Sequence, residues 1–136
     1  MNLVESLMEN TASEDLWTEK GGASWMKCEG LKVREVAQAM NSLGARFVTI
    51  TAHQLPGTEG FRLEYHWDRN GRLLGFPFTI AGNSIESIYD LCEAADWIER
   101  EVHEEYGIEF TGREYEPLLL RAGQTPGVNL REEAAK

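Results

Sequence analysis

The chain has 136 residues and a formal net charge of −10. That length fits one domain with a modest core. The acidic excess argues against nucleic acid, whose phosphates need clustered Lys and Arg, and against docking on anionic lipid; no apolar run approaches the roughly 18 residues of a membrane span.

Met1 to Lys20 is acidic and only partly periodic. Leu3, Leu7 and Met8 predict a short amphipathic helix there. The segment has no basic start and so does not read as a secretory signal, which predicts an intracellular, soluble protein. Gly21-Gly22 breaks the chain, and Ser24 to Cys28 is a short candidate strand. Leu31 to Leu43 reads as a helix, because Val33, Val36, Ala37, Met40 and Leu43 follow helical spacing and Gly44 closes it.

A meander follows. Arg46 to His53 is β-branched and alternating, and Leu55-Pro56-Gly57 turns the chain. Phe61, Leu63, Tyr65 and Trp67 alternate with Arg62, Glu64, His66 and Asp68, the pattern of a half-buried strand. Asn70-Gly71 is the favoured two-residue hairpin turn, and Leu74, Phe76, Phe78 and Ile80 alternate on the returning strand. Pro77 cannot donate to a sheet ladder, which predicts an edge or a bulge at that point.

Ile85 to Cys92 reads as a helix, and Ala94 to Tyr106 does so more strongly. In the second segment Asp96, Arg100 and Glu104 lie four residues apart and form one charged stripe. Ile98, Val102 and Tyr106 form a separate apolar stripe for a core. Gly107 is placed to end the helix in the left-handed region. Ile108 to Phe110 is a short strand, Thr111-Gly112 a turn, and Pro117 to Leu120 an apolar anchor. Helices before and after a block of paired strands predict an α+β domain, with helices on one face of a mainly antiparallel sheet over residues 45–80.

The residues offer little chemistry. Cys28 and Cys92 are too few for an iron–sulfur cluster and read as two reduced thiols. His53, His66 and His103 are scattered, and His103-Glu104-Glu105-Tyr106-Gly107 lacks the second histidine of a zinc helix. No metal site and no cofactor are expected. Glu99, Glu101, Glu104 and Glu105 surround Arg100, as on a solvated, ion-paired helix face; the competing reading is a small acidic enzyme using Glu101 or Glu104 as a general base. Trp97 lies about a hundred degrees from Ile98 around the helix, off the centre of the apolar stripe, where a large aromatic suits an interface.

One stretch carries a resemblance. Ala94-Ala95-Asp96-Trp97-Ile98-Glu99-Arg100-Glu101, then Glu104, Gly107-Ile108, Phe110 and Gly112, resembles the thirty-kilodalton subunit of respiratory complex I over about Ser84 to Leu120. The family pattern has Phe where this chain has Tyr106, Gly-His-Pro where it has Gly112-Arg113-Glu114, and a basic segment where it has Glu116-Pro117-Leu118-Leu119-Leu120. That ending, with His103-Glu104 inside the helix, looks more like the branch found in energy-converting membrane-bound [NiFe] hydrogenases than the NADH dehydrogenase branch. The resemblance implies a non-catalytic, cofactor-free accessory subunit on the cytoplasmic side of a membrane-bound oxidoreductase complex. Its partners would be the large catalytic subunit and neighbouring peripheral-arm subunits, without direct membrane insertion. It implies one domain of that type over residues 1–120, and the polar, Gly/Pro-interrupted composition after it predicts a mobile tail over 121–136. Trp97 and the Ile108-to-Leu120 segment, including Pro117 and Leu118, would be docking surface, oriented by Asp96, Arg100 and Glu104.

Overall fold

The computed structural model describes residues 17–26, 31–56 and 60–114. Among them the order is β1 (Trp17–Lys20), β2 (Ala23–Met26), α1 (Val33–Ser42), β3 (Arg46–Gln54), β4 (Phe61–Arg69), β5 (Arg72–Ile80), β6 (Ser84–Glu86), α2 (Ala95–Tyr106) and β7 (Glu109–Thr111). The architecture is α+β. Five strands form one sheet in the order β1-β2-β5-β4-β3, and β6 pairs with β7 in a second, two-stranded sheet.

The β4–β5 hairpin is the centre of the fold, and its local chemistry explains it. Asn70 and Gly71 both take positive φ, 53° and 86°, as the turn that matches strand twist requires. The Asp68 carboxylate accepts a hydrogen bond from the Gly71 N–H at 2.9 Å, and Arg69 then pairs with Arg72. This register puts Phe61, Leu63, Tyr65 and Trp67 on one face with Leu74, Phe76 and Phe78, all buried. Trp67 meets Phe47 and Phe76 edge to face and stacks with Tyr65. Each such burial contributes about 1.5–3 kcal/mol. Val33, Val36, Ala37 and Met40 of α1 enter the same core, and α2 lies against β3 with Tyr106 edge-on to Phe61.

Pro77 fits its strand for the expected reason. Among the described residues β2 pairs with β5 only at Leu74 and Gly75, in parallel, so β5 is an edge beyond that point. The register irregularity lies instead in β3, between Phe47 and Thr49. Gly75 is required by packing: a Cβ there would come within 2.6 Å of the Trp25 ring.

Two segments differ from expectation. Trp17 to Lys20 is a strand, paired antiparallel with β2 through Gly21-Gly22, whose φ values are 61° and 82°. The glycine pair is a hairpin turn rather than a break. The helix expected over Ile85 to Cys92 is absent. Residues 84–86 are β6, parallel to β7, and turns run from 89 to 94. Side chains take the backbone donors a helix would use: Glu99 accepts from the Ile88 N–H at 2.8 Å, and Ser87 Oγ from the Tyr89 N–H at 3.1 Å. The helix expected over Leu3 to Met8, Cys28, and the Pro117-to-Leu120 anchor lie outside the described residues.

Candidate docking surface around the charged helix

The helix expected over Ala94 to Tyr106 is α2, ending on Gly107 at φ 73°, whose N–H bonds the His103 carbonyl at 2.9 Å. Helical geometry then sorts its motif residues to opposite sides. Glu99 points inward and is 0% exposed. Its carboxylate accepts from Ser87 Oγ at 2.6 Å, from the Ile88 N–H, and from Arg113 Nη1 at 3.2 Å. Burial pushes the Glu99 carboxyl above its ordinary value, and these three bonds only partly offset that.

Arg113 is the second half of the junction. Its side chain is 8% exposed, and it reaches back from the turn after β7 to hold Asp96 at 2.5 Å as well as Glu99. Burial opposes its charge, but the bonds to Asp96 and Glu99 outweigh burial and leave its pKa raised. Arg113 thus fastens the β7 turn onto α2. In the sequence it stands out only as a departure from the family pattern at Gly112-Arg113-Glu114.

The charged stripe is more enclosed than expected. Arg100 pairs with Asp96 at 3.3 Å, and its side chain is 17% exposed; Glu104 is 7% exposed. Arg100 Nε is buried without a hydrogen-bond partner. Ile108 and Phe110 are also buried, inside the core of the chain itself, so their apolar surface is not available to a partner and the expected docking segment loses them. Gly112 sits at φ 88° in the turn that delivers Arg113.

Trp97 lies on the outside, 56% exposed, with the Arg100 guanidinium 5.7 Å from its ring. Sequence reasoning missed a second aromatic. Tyr89 is 40% exposed and sits under the Arg113 guanidinium at 4.8 Å. A row therefore links the two exposed rings through largely buried charge: Tyr89 ring, Arg113, Asp96, Arg100, Trp97 ring. The turn carrying Tyr89 is pinned from α1. Arg34 grips Asp90 through two bonds, at 2.7 and 2.8 Å, and donates to the Ser87 carbonyl at 2.7 Å; Asn41 donates to the Leu91 carbonyl at 2.7 Å. A rigid pair of exposed aromatics backed by buried charge is suited to binding protein surfaces.

Among the described residues no group of three or more His, Cys, Asp or Glu could hold a metal, and no helix is long and apolar enough to cross a membrane. Cys92 is a free, half-buried thiol whose pKa burial pushes up.

Fold and junction together define a small α+β unit whose charged helix is locked inward by Glu99 and Arg113 and turns Trp97 outward. The chain belongs to the family described as respiratory-chain NADH dehydrogenase, 30 Kd subunit, whose sequence model matches residues 26–135. Over 72 residues it is 35% identical to NAD(P)H-quinone oxidoreductase subunit J of Prochlorococcus marinus (strain NATL1A), covering 53% of this chain and 36% of that protein. Over 68 residues it is 44% identical to the subunit J of Synechococcus sp. (strain CC9902), covering 50% and 35%. The chain thus matches about a third of the length of these curated relatives. Two solved structures share the fold at 20% identity. One is the membrane-bound sulfane sulfur reductase, an archaeal respiratory membrane complex (TM-score 0.61, 81% of this chain and 71% of that one). The other is a trypsin-resistant fragment of Nqo5 (TM-score 0.60, 85% and 100%).

Proposed function

We propose that the chain is a cofactor-free accessory subunit of a membrane-bound, complex I-like oxidoreductase, seated on the cytoplasmic side of the membrane. It docks to the large catalytic subunit through the outer side of α2. The carrying observation is the orientation of the motif helix: Glu99 and Asp96 are tied to Arg113, while Trp97 is turned to solvent. Family membership across residues 26–135 and the names of the relatives support an oxidoreductase assembly as the setting. The hydrogenase branch rests on Pro117 to Leu120, outside the described residues, and on His103-Glu104 within α2. The quinone oxidoreductase branch is supported by the curated relatives.

The rival, an acidic enzyme with Glu101 or Glu104 as general base, loses Glu104 on access, because a base must reach its substrate and Glu104 is buried; Glu101 is half-buried on the outer side of α2. Affinity isolation of the tagged chain from solubilised membranes of its own cells tests the proposal. A large oxidoreductase subunit in stoichiometric amount supports it, and hydrogen uptake or NADH–quinone reductase activity in the isolate assigns the branch. A chain recovered alone contradicts it.

A further inference from the structure

We infer that the partner segment seated on α2 is basic, with Lys or Arg cations placed over the open faces of Trp97 and Tyr89 and against Glu93 and Glu101. This deepens the docking proposal above and rests on it.

Charge distribution is the first support. Between Ser84 and Glu114 the chain has ten acids against two arginines, so this stretch carries eight of the ten net negative charges of the whole protein. Both arginines are already engaged, Arg100 with Asp96 and Arg113 with Asp96 and Glu99. With Asp90 taken by Arg34 and Glu104 buried, the other carboxylates of the stretch still present a net negative field to whatever approaches.

Geometry is the second. Glu101 lies one turn after Trp97, so indole and acid share one line on the outer side of α2, and Glu93 is exposed in the turn that precedes the helix. Glu105 continues that line, and an i,i+4 pair of like charges such as Glu101 and Glu105 is mutually repulsive until a cation neutralises it. The two rings are not loose. Each has a guanidinium on one side, and both guanidiniums are fixed by Asp96. Little ordering is left to do on binding, and the ring faces away from the guanidiniums remain attractive to a further cation. An acidic or neutral partner would meet repulsion or gain nothing from the carboxylates.

The test uses the full tagged chain in the membrane assembly of its own cells. p-Benzoylphenylalanine replaces Trp97, the assembly is photolysed, and the crosslinked peptide is sequenced by mass spectrometry. The expected product is a peptide of another subunit with an excess of Lys and Arg. A crosslink to an acidic or uncharged segment, to lipid or to a second copy of this chain overturns the inference. So does the absence of any crosslink from a chain that is present in the assembly. In parallel, Glu101→Lys should weaken retention in the assembly about tenfold at about 0.15 M salt. Glu35→Lys makes the same charge change at an exposed position of α1 and should leave retention unchanged; equal effects from the two variants overturn the inference. A wild-type chain recovered alone overturns the accessory-subunit reading and this inference with it, whereas the other failures strike the basic partner alone.

Discussion

The β3–β5 meander and the junction between α2 and the β7 turn are held together by different physics. In the meander, alternating apolar side chains interlock on one face of the sheet, and no charge is buried among Phe61, Leu63, Tyr65, Trp67 and Phe76. In the junction, a fully buried carboxylate is held by a hydroxyl, a backbone N–H and an arginine. Apolar burial stabilises almost any arrangement that removes the same area from water. A buried ion pair adds little net stability but is costly to break on one side, so it selects one geometry. The meander thus accounts for folding, whereas the junction accounts for where Trp97 and Tyr89 stand.

Breaking each region should separate these roles. The largest losses are expected from Trp67→Ala in the meander and Arg113→Ala in the junction. The first removes a core indole and should cost about 3–5 kcal/mol. The second strands Glu99 and should cost a similar amount, about 3–5 kcal/mol. Denaturant unfolding measures both. The two variants should differ in kind, because only Arg113→Ala should be partly rescued by Glu99→Gln, which removes the stranded charge. A lack of rescue would mean that Arg113 acts through packing.

Glu99→Gln alone sharpens the comparison through pH. The folded pKa of Glu99 lies above its ordinary 4.5. Between pH 4.5 and that raised value the folded state therefore holds a proton that the unfolded state has released. That contribution is fully present below pH 4.5 and is lost as pH rises through the raised folded value. Wild type should accordingly lose stability relative to Glu99→Gln as pH rises across this window. Parallel curves for the two proteins would show that Glu99 is ionised throughout. Gly107→Ala should cost about 1 kcal/mol by forcing a side chain into the left-handed cap. Arg100→Ala should cost about 1 kcal/mol or less in the isolated chain, since Arg113 still holds Asp96.

The meander is legible in the sequence because its information is local. Alternation over Phe61 to Asp68 and the Asn70-Gly71 turn specify strand, face and register without help from the rest of the chain. The bounds of α2 are legible for the same reason, through its apolar spacing and Gly107. The junction is not. Ile85, Ile88, Leu91 and Cys92 carry helix-like spacing, but Glu99, eleven residues beyond Ile88, captures the Ile88 N–H, and no local pattern announces a contact of that kind. Glu99 reads as one acid in a solvated run, because composition does not tell an inward turn of a charged helix from an outward one. Arg113 registers only as a missing His-Pro, although a lone arginine after two spaced acids is the available clue. Trp17 to Lys20 is hidden by acidic composition, while the Gly21-Gly22 hairpin signal is in plain sight.

The central claim is that α2 is fixed from within so that Trp97 can be used from without. Trp97→Ala tests it most directly, measured twice: unfolding of the isolated chain, and association with the large oxidoreductase subunit. Stability should change by no more than about 1 kcal/mol, because the ring is exposed and stacks against the Arg100 guanidinium, while association should weaken by about 2 kcal/mol or more. Unchanged association, or a loss of folding stability as large as the loss of binding, would contradict the account.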